Sequence, residues 1–394
     1  MKKQIKKIGA LVLAGVLALG MSMTTLAAGD GSDSLGAGNT VSIKDKLIAF
    51  NPDETSIYAP AVTFSYTIVA GSGGDTVTDA DDISAVVLAG DWSGTDGSGN
   101  SIAVSGTPTI TGSNSYSLSD TLKAASDGDN TNEKDISVSF ESVTFPKPGI
   151  YRYTITRTIT DTNGVLESTA DITRSLDVYV KEESGTCSIY GYILHDISGD
   201  IGKESTTKYD HYESEYKTSN LTVGKTLIND SMMNGHKFPF SVTFENAKGA
   251  HIMVDAEKGG TGKATAPALD AGVVLSEPTI ANEGIVKYIG IPNGFTATVF
   301  ETNDVTGTSY KSQYSLDGAT LTGDKVISWT GEAAKSNSAS TEAATDKTKT
   351  VGFTNTLAII SPTGVALRFA PYAVLFAAGL VLLFVFRRRD TEED

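Results

Sequence analysis

The sequence predicts an all-β protein built as two tandem β-sandwiches, and three observations predict it. Apolar residues alternate with period two in Val62-Phe64-Tyr66-Ile68, Tyr151-Tyr153-Ile155, Phe238-Phe240-Val242-Phe244 and Phe295-Ala297-Val299, the pattern of strands buried on one face. Turn strings separate such runs, as in Gly71-Ser72-Gly73-Gly74, Gly97-Ser98-Gly99-Asn100 and Asp161-Thr162-Asn163-Gly164, and no long helical period competes. A weak internal repeat then divides the chain. Val41-Ser42-Ile43 precedes strand 62–68 in one half, and Leu221-Thr222-Val223 precedes strand 238–244 in the other. Late in each half a glycine, Gly149 or Gly294, leads into Tyr153-Thr154-Ile155-Thr156-Arg157 or Ala297-Thr298-Val299-Phe300-Glu301. Two immunoglobulin-like sandwiches, 41–218 and 219–357, joined near Ser219, are the economical solution, each long enough to bury its own core.

Composition agrees and excludes several functions. The 394 residues hold 40 glycines against 11 prolines, with only 8% aromatic and 20% charged residues. Without 1–28 and 364–394 the chain carries 23 basic and 43 acidic side chains, net −20, which repels a phosphate backbone and disfavours nucleic acid. One cysteine, Cys187, excludes an internal disulfide framework and a multi-cysteine metal site. It lies in a strand, 186–194, and reads as a small buried hydrophobe. His195, His211, His236 and His251 lack H-E-x-x-H spacing, and no serine sits in a G-x-S-x-G elbow. Asp127, Asp129, Asn130, Asn132 and Asp135 form an oxygen-rich loop without the glycine and distal glutamate of an EF-hand, so it reads as a solvated acidic loop; no metal and no cofactor are expected.

The two ends place the protein. Residues 1–28 begin with Lys2, Lys3, Lys6 and Lys7, run uncharged from Ile8 to Met21 and close on Leu26-Ala27-Ala28, a secretory signal cut after Ala27 or Ala28. A flexible stretch, 29–40, follows. At the other end, 369–386 is uncharged and is followed by Arg387-Arg388-Arg389, so 365–394 is a membrane span with a tail held inside. Before it, within 358–364, lies Ile360-Ser361-Pro362-Thr363-Gly364. This order of motif, apolar span and basic tail resembles the cell-wall sorting signal of Gram-positive surface proteins, which sortases cut between Thr and Gly, here Thr363 and Gly364. The usual pattern is L-P-x-T-G, whereas proline here directly precedes threonine. That departure is found in a subset of pilus backbone subunits, whose signals read x-V-P-T-G-V-A and then A-P-Y. Here the strings are Ser361-Pro362-Thr363-Gly364-Val365-Ala366 and Ala370-Pro371-Tyr372.

Three polar residues of the second unit sit where apolar ones belong. Lys225 shares a strand face with Leu221, Val223 and Leu227; Glu301 with Phe295, Ala297 and Val299; Asn355 with Val351 and Phe353. Alternation points all three into a core, where an unpaired charge costs several kcal/mol. An ordinary buried Lys225–Glu301 salt bridge is one explanation. The other is chemical: desolvation strips a buried lysine of its proton and keeps a carboxyl protonated. Lys225 then attacks the Asn355 side-chain carbonyl while Glu301 shuttles protons, expelling ammonia and leaving an amide cross-link.

The strings Leu221-Thr222-Val223-Gly224-Lys225, Thr298-Val299-Phe300-Glu301-Thr302 and Phe353-Thr354-Asn355 resemble the Lys, Glu and Asn motifs of streptococcal backbone pilins of the T-antigen type. The resemblance runs from about Val41 to the C-terminus, loosely over 73–140. It implies CnaB-type sandwiches with a Lys225–Asn355 isopeptide bond assisted by Glu301, and a protein that is no turnover enzyme. Across the 130 positions spanned, loop closure alone gives roughly 5 kcal/mol. In the first unit the family's lysine, glutamate and asparagine positions fall on Asp45, Arg157 and Ser214 (or Thr218 if the alignment slips). The first sandwich is therefore expected without a bond, an Asp45–Arg157 ion pair taking its place; a one-residue bulge turning Lys44 or Lys46 inward is the alternative.

Polymerisation, as the resemblance implies it, passes Thr363 from sortase to a lysine of the next subunit, a few residues before the last strand of its first domain. Lys208 occupies that place and Lys203 is second choice. The expected protein is the shaft subunit of a Gram-positive cell-surface pilus. Its precursor is membrane-anchored, and its partners are identical subunits, sortase, minor pilins and cell-wall peptidoglycan, with a host surface admitted. The rivals are a minor pilin or wall-anchored adhesin binding a host ligand, disfavoured because no aromatic-lined ligand site is legible, and a surface hydrolase, for which no catalytic set is found.

Overall fold

The computed structural model describes residues 35–357, apart from 54–55, 79–83, 126–130, 167–171, 197–207, 210, 231–232, 234, 247–248, 263–273, 295, 303–309, 322–325 and 331–347; of the C-terminal segment it describes 372, 374–378 and 380. The expected secretory signal, Lys203, the motif 358–364, most of the span 365–394, and Asp127, Asp129 and Asn130 lie outside the described residues. The described residues of this segment are helical, with Tyr372, Val374, Leu375 and Phe376 exposed. Among the described residues no helix is long and apolar enough to cross a membrane.

One strand organises the molecule. His211–Ile228 is 18 residues long. Its first half pairs in parallel with Thr40–Phe50, from Lys44↔His211 to Phe50↔Lys217. Its second half pairs in parallel with Thr348–Leu357, from Asn220↔Thr348 to Ile228↔Thr356. A ten-stranded sheet consequently runs through both sandwiches. The unit boundary expected near Ser219 falls inside this strand, not in a linker. Buried positions are even-numbered before it (Tyr212, Ser214, Tyr216) and odd-numbered after it (Leu221, Val223, Lys225, Leu227). A register shift between Ser219 and Leu221, against strand Ile285–Pro292, supplies the extra residue that changes the phase.

A second sheet closes each sandwich. Over the first half lie Lys208–Tyr209, Thr186–Asp196, Thr173–Glu183, Gly149–Thr160, Val62–Ala70 and Asn114–Tyr116, in that spatial order. Over the second lie Gly260–Thr261, Thr279–Ile280, Phe238–Glu245, Thr296–Glu301 and Val326–Thr330. Two separate cores result, the first centred on Phe140, Tyr153, Tyr192 and Ile136, the second on Phe240, Phe353, Tyr288 and Val242. The architecture is thus tandem immunoglobulin-like β-sandwiches.

Several local features depart from expectation. The stretch 29–40 is not free throughout: Tyr192 Oη donates to Gly38 O at 2.5 Å and Phe140 N to Asn39 O at 2.7 Å, so its last residues are tied to the first core. Cys187 is half-buried, not buried, because it lies near the turn end of its strand, opposite Glu182. A small third layer covers the outer face of the first sandwich, where Val77 and Val87 pack on Ile150, Tyr179 and Ile193. Beside it Arg152 grips Asp177 with Nε at 2.7 Å and Nη2 at 3.0 Å, and His195 Nε2 lies 3.1 Å from Asp177 Oδ2. Burial alone pushes the Asp177 carboxyl up, but His195 and Arg152 together hold it below its ordinary range.

Candidate functional site

Register brings the three polar residues of the second sandwich together. Lys225 and Asn355 stand on adjacent parallel strands, Lys225 opposite Phe353 and Leu227 opposite Asn355. Glu301 comes from the facing sheet, paired with Phe240. All three side chains point inward, with exposures of 1% for Lys225, 1% for Asn355 and 6% for Glu301. The Glu301 carboxylate bridges the other two: Lys225 Nζ donates to Oε2 at 2.9 Å and Asn355 Nδ2 donates to Oε1 at 3.2 Å. The Phe238 ring lies 4.5 Å from Nζ, and Phe240 and Tyr314 pack on Phe353, which keeps water from the cluster. Burial pushes the Lys225 ammonium down, opposed by Glu301. An amine with a lowered proton affinity, a carboxylate touching it and a carboxamide held by that carboxylate are the groups that an amide transfer would require.

One contact at this cluster was not found by sequence reasoning. Ser312, directly opposite Asn355 on strand Tyr310–Leu316, donates its hydroxyl to Asn355 Oδ1 at 3.0 Å. Its signal in the sequence is faint, because a serine on the same strand face as Tyr310 and Tyr314 looks like any half-buried strand residue.

The first sandwich repeats the geometry with other chemistry. Asp45 is opposite Tyr212, and Leu47 opposite Ser214, on the parallel pair; Arg157 is opposite Tyr66 on the facing sheet. Asp45, Arg157 and Ser214 therefore hold the register positions of Lys225, Glu301 and Asn355, with Tyr66 and Tyr212 where Phe240 and Phe353 stand. Even the ring pair is kept, at 5.8 Å between Tyr66 and Tyr212 and 5.1 Å between Phe240 and Phe353. Arg157 Nη1 donates to Asp45 Oδ1 at 2.8 Å and Nη2 to Glu213 O at 2.8 Å, and Tyr66 Oη also donates to Asp45. Arg157 is wholly buried and Asp45 nearly so. Burial pushes the Asp45 carboxyl up, against the pull of Arg157 and Tyr66. The pairing of Thr40–Phe50 with Thr131–Ser139 runs unbroken through Lys44, Asp45 and Lys46; Lys44 stays outside, its Nζ 2.7 Å from Glu133.

Lys208 sits with Tyr209 on a two-residue edge strand, Lys208 opposite His195. The segment is fixed by Tyr209, whose ring lies 3.4 Å from the Arg174 guanidinium and whose hydroxyl donates to Asp196 Oδ2 at 3.3 Å. Lys208 is half-buried, and burial pushes its ammonium down. The fold also gathers what looked scattered in sequence: Tyr58, Tyr116 and His251 line an open groove of about 760 Å³ between the sandwiches, Tyr58 and His251 stacked at 3.8 Å. Among the described residues no group of acidic, histidine or cysteine side chains is placed to hold a metal.

No protein-family profile matches the chain. Among curated proteins, a pilin of Streptococcus pyogenes serotype M1 is 28% identical over 276 residues, covering 67% of this chain and 74% of that protein. Among solved structures, the major pilin protein T-13 of Streptococcus pyogenes aligns at 16% identity and a TM-score of 0.43, over 82% of this chain and 98% of that one. The T3.2 major pilin of the same species aligns at 15% identity and 0.45, over 81% and 98%. In sequence the chain is thus similar to a streptococcal pilin, and its own fold is a tandem β-sandwich.

Proposed function

We propose that this chain is the repeating shaft subunit of a covalently polymerised cell-surface pilus, cleaved by sortase between Thr363 and Gly364 and joined to Lys208 of the next subunit. The observation that carries this reading is the buried Lys225–Glu301–Asn355 bridge, which ties the strand entering the second sandwich to the strand leaving it. A shaft subunit transmits tension from one end to the other, and a covalent link between those two strands is what such a load requires. The half-buried amine of Lys208, on an edge strand braced by Tyr209 and Arg174, supports its role as acceptor.

The chemistry balances within the cluster. A proton passes from Lys225 Nζ to Glu301, and the neutral amine attacks Asn355 Cγ. The Nζ–Cγ bond forms and the carbonyl π pair moves onto Oδ1. Glu301 delivers its proton to Nδ2 and takes a second one from Nζ. The Cγ–Nδ2 bond then breaks, ammonia leaves, and Glu301 retains the proton beside the new amide. In the first sandwich Asp45–Arg157 stands in place of the bond.

One two-armed experiment tests this. The intact mass of wild type is expected to fall short by one ammonia, and that of Glu301→Ala to show no deficit. In cells with the cognate sortase, Lys208→Arg is expected to abolish high-mass ladders. A wild type without the deficit would remove the cross-link, and undiminished ladders would remove Lys208.

A further inference from the structure

The carboxamide of Asn355 is held at both ends, and the two ends face different partners. Its nitrogen, the atom that must leave, donates to Glu301 Oε1 at 3.2 Å. Its oxygen, the atom on which charge must develop, accepts from Ser312 Oγ at 3.0 Å. Glu301 therefore touches the two nitrogens of the reaction, Lys225 Nζ and Asn355 Nδ2, and leaves the carbonyl oxygen to another group. Ser312 reaches it because Ser312 and Asn355 are direct partners in an antiparallel pair, so their side chains share the inner face.

We propose that Ser312 is a catalytic residue of cross-link formation, its hydroxyl stabilising the oxyanion on Asn355 Oδ1 while Glu301 moves the protons. This rests on the cross-linking centre proposed above. When Nζ bonds to Cγ, the electron pair of the carbonyl moves to Oδ1. A hydroxyl already aimed at that oxygen, in a site walled by Phe238, Phe240 and Phe353, meets the new charge without reorganising water. When the Cγ–Nδ2 bond breaks the pair returns to the carbonyl, and Ser312 ends as a donor to the cross-linked amide with no net change in its own bonds.

The division of labour separates Ser312 from Glu301 in experiment. Full-length chain made by cell-free synthesis is sampled over time, and the proteolytic fragment joining Lys225 to Asn355 is quantified. Thermal unfolding of each variant reports its fold. Wild type is expected to mature fully, and Ser312→Ala to fold but mature about 100-fold more slowly, the usual cost of one oxyanion donor. Ser312→Thr, which keeps the hydroxyl, is expected to mature at close to the wild-type rate. Equal rates for Ser312→Ala and wild type would overturn the proposal, and so would Ser312→Thr as slow as Ser312→Ala, since packing alone would then explain both. If Ser312→Ala does not fold, Ser312→Cys, similar in size but a weak donor, reads the same step and is expected to be slow. A wild type that never forms the fragment would instead refute the cross-linking centre itself.

Discussion

Arg157 carries a positive charge into the core of the first sandwich. It is wholly buried between the sheets, its charge met by Asp45 at 2.8 Å and by the carbonyl of Glu213 at 2.8 Å. A buried ion pair adds little net stability over a well-packed apolar pair, but removing one partner strands the other charge in a low dielectric. Arg157→Ala leaves Asp45 with only hydroxyl and amide neighbours and opens a cavity against Phe64 and Tyr212. The expected loss is about 3–5 kcal/mol, read as a fall of roughly 10 °C in the first unfolding transition by calorimetry. A variant with an unmoved transition would show that the pair carries no structural weight. Asp45→Asn with Arg157→Met, which removes both charges, is expected to be less damaging than Arg157→Ala alone.

At the scale of strands, the two sandwiches are one register of paired strands used twice. Positions 45, 157 and 214 relate to one another through the same pairings as 225, 301 and 355, so what separates the sandwiches is side-chain identity, not backbone placement. Asp45→Lys, Arg157→Glu and Ser214→Asn, combined with Tyr66→Phe to match Phe240, are therefore expected to install a second cross-link, read as loss of two ammonia molecules per chain. A folded variant that still loses one would mean that register alone does not suffice. The inward direction of Lys225, Glu301, Asn355, Asp45 and Arg157 was legible in sequence because period-two alternation fixes each face locally. The shared strand was not legible. Its phase change at Asn220 depends on a bulge and on the exchange of amides with Asn51, 2.9 and 3.0 Å, which are tertiary facts. Ser312 was hidden for the same reason, since cross-strand register is set by partners distant in the chain. The layer around Val77 and Val87 lies where no motif reached.

For the whole molecule, the shared strand determines where tension travels. When a single subunit is pulled by its chain ends, load enters at the start of strand Thr40–Phe50 and passes into His211–Ile228, its parallel neighbour. It leaves along Thr348–Leu357, parallel again. Pulling the opposite ends of parallel neighbours shears their hydrogen bonds together instead of opening them singly. In the second sandwich a Lys225–Asn355 bond would carry the load across after only a few residues of strand, so residues 226–354 would bear none of it. In the first sandwich nothing covalent bridges Asp45, Arg157 and Ser214, and the joint rests on the buried ladder of Asn51, Thr218 and Asn220 and on hydrogen bonds. Stretching a single subunit by its ends is therefore expected to release the first sandwich alone, roughly 600 Å of chain at about 3.5 Å per residue. In Glu301→Ala a second event of roughly 450 Å should join it, from residues 226–354. Two events in wild type would mean that the second sandwich is unbonded. None at forces that unfold ordinary sandwiches would mean that the first holds by a link that its side chains, as placed, do not provide.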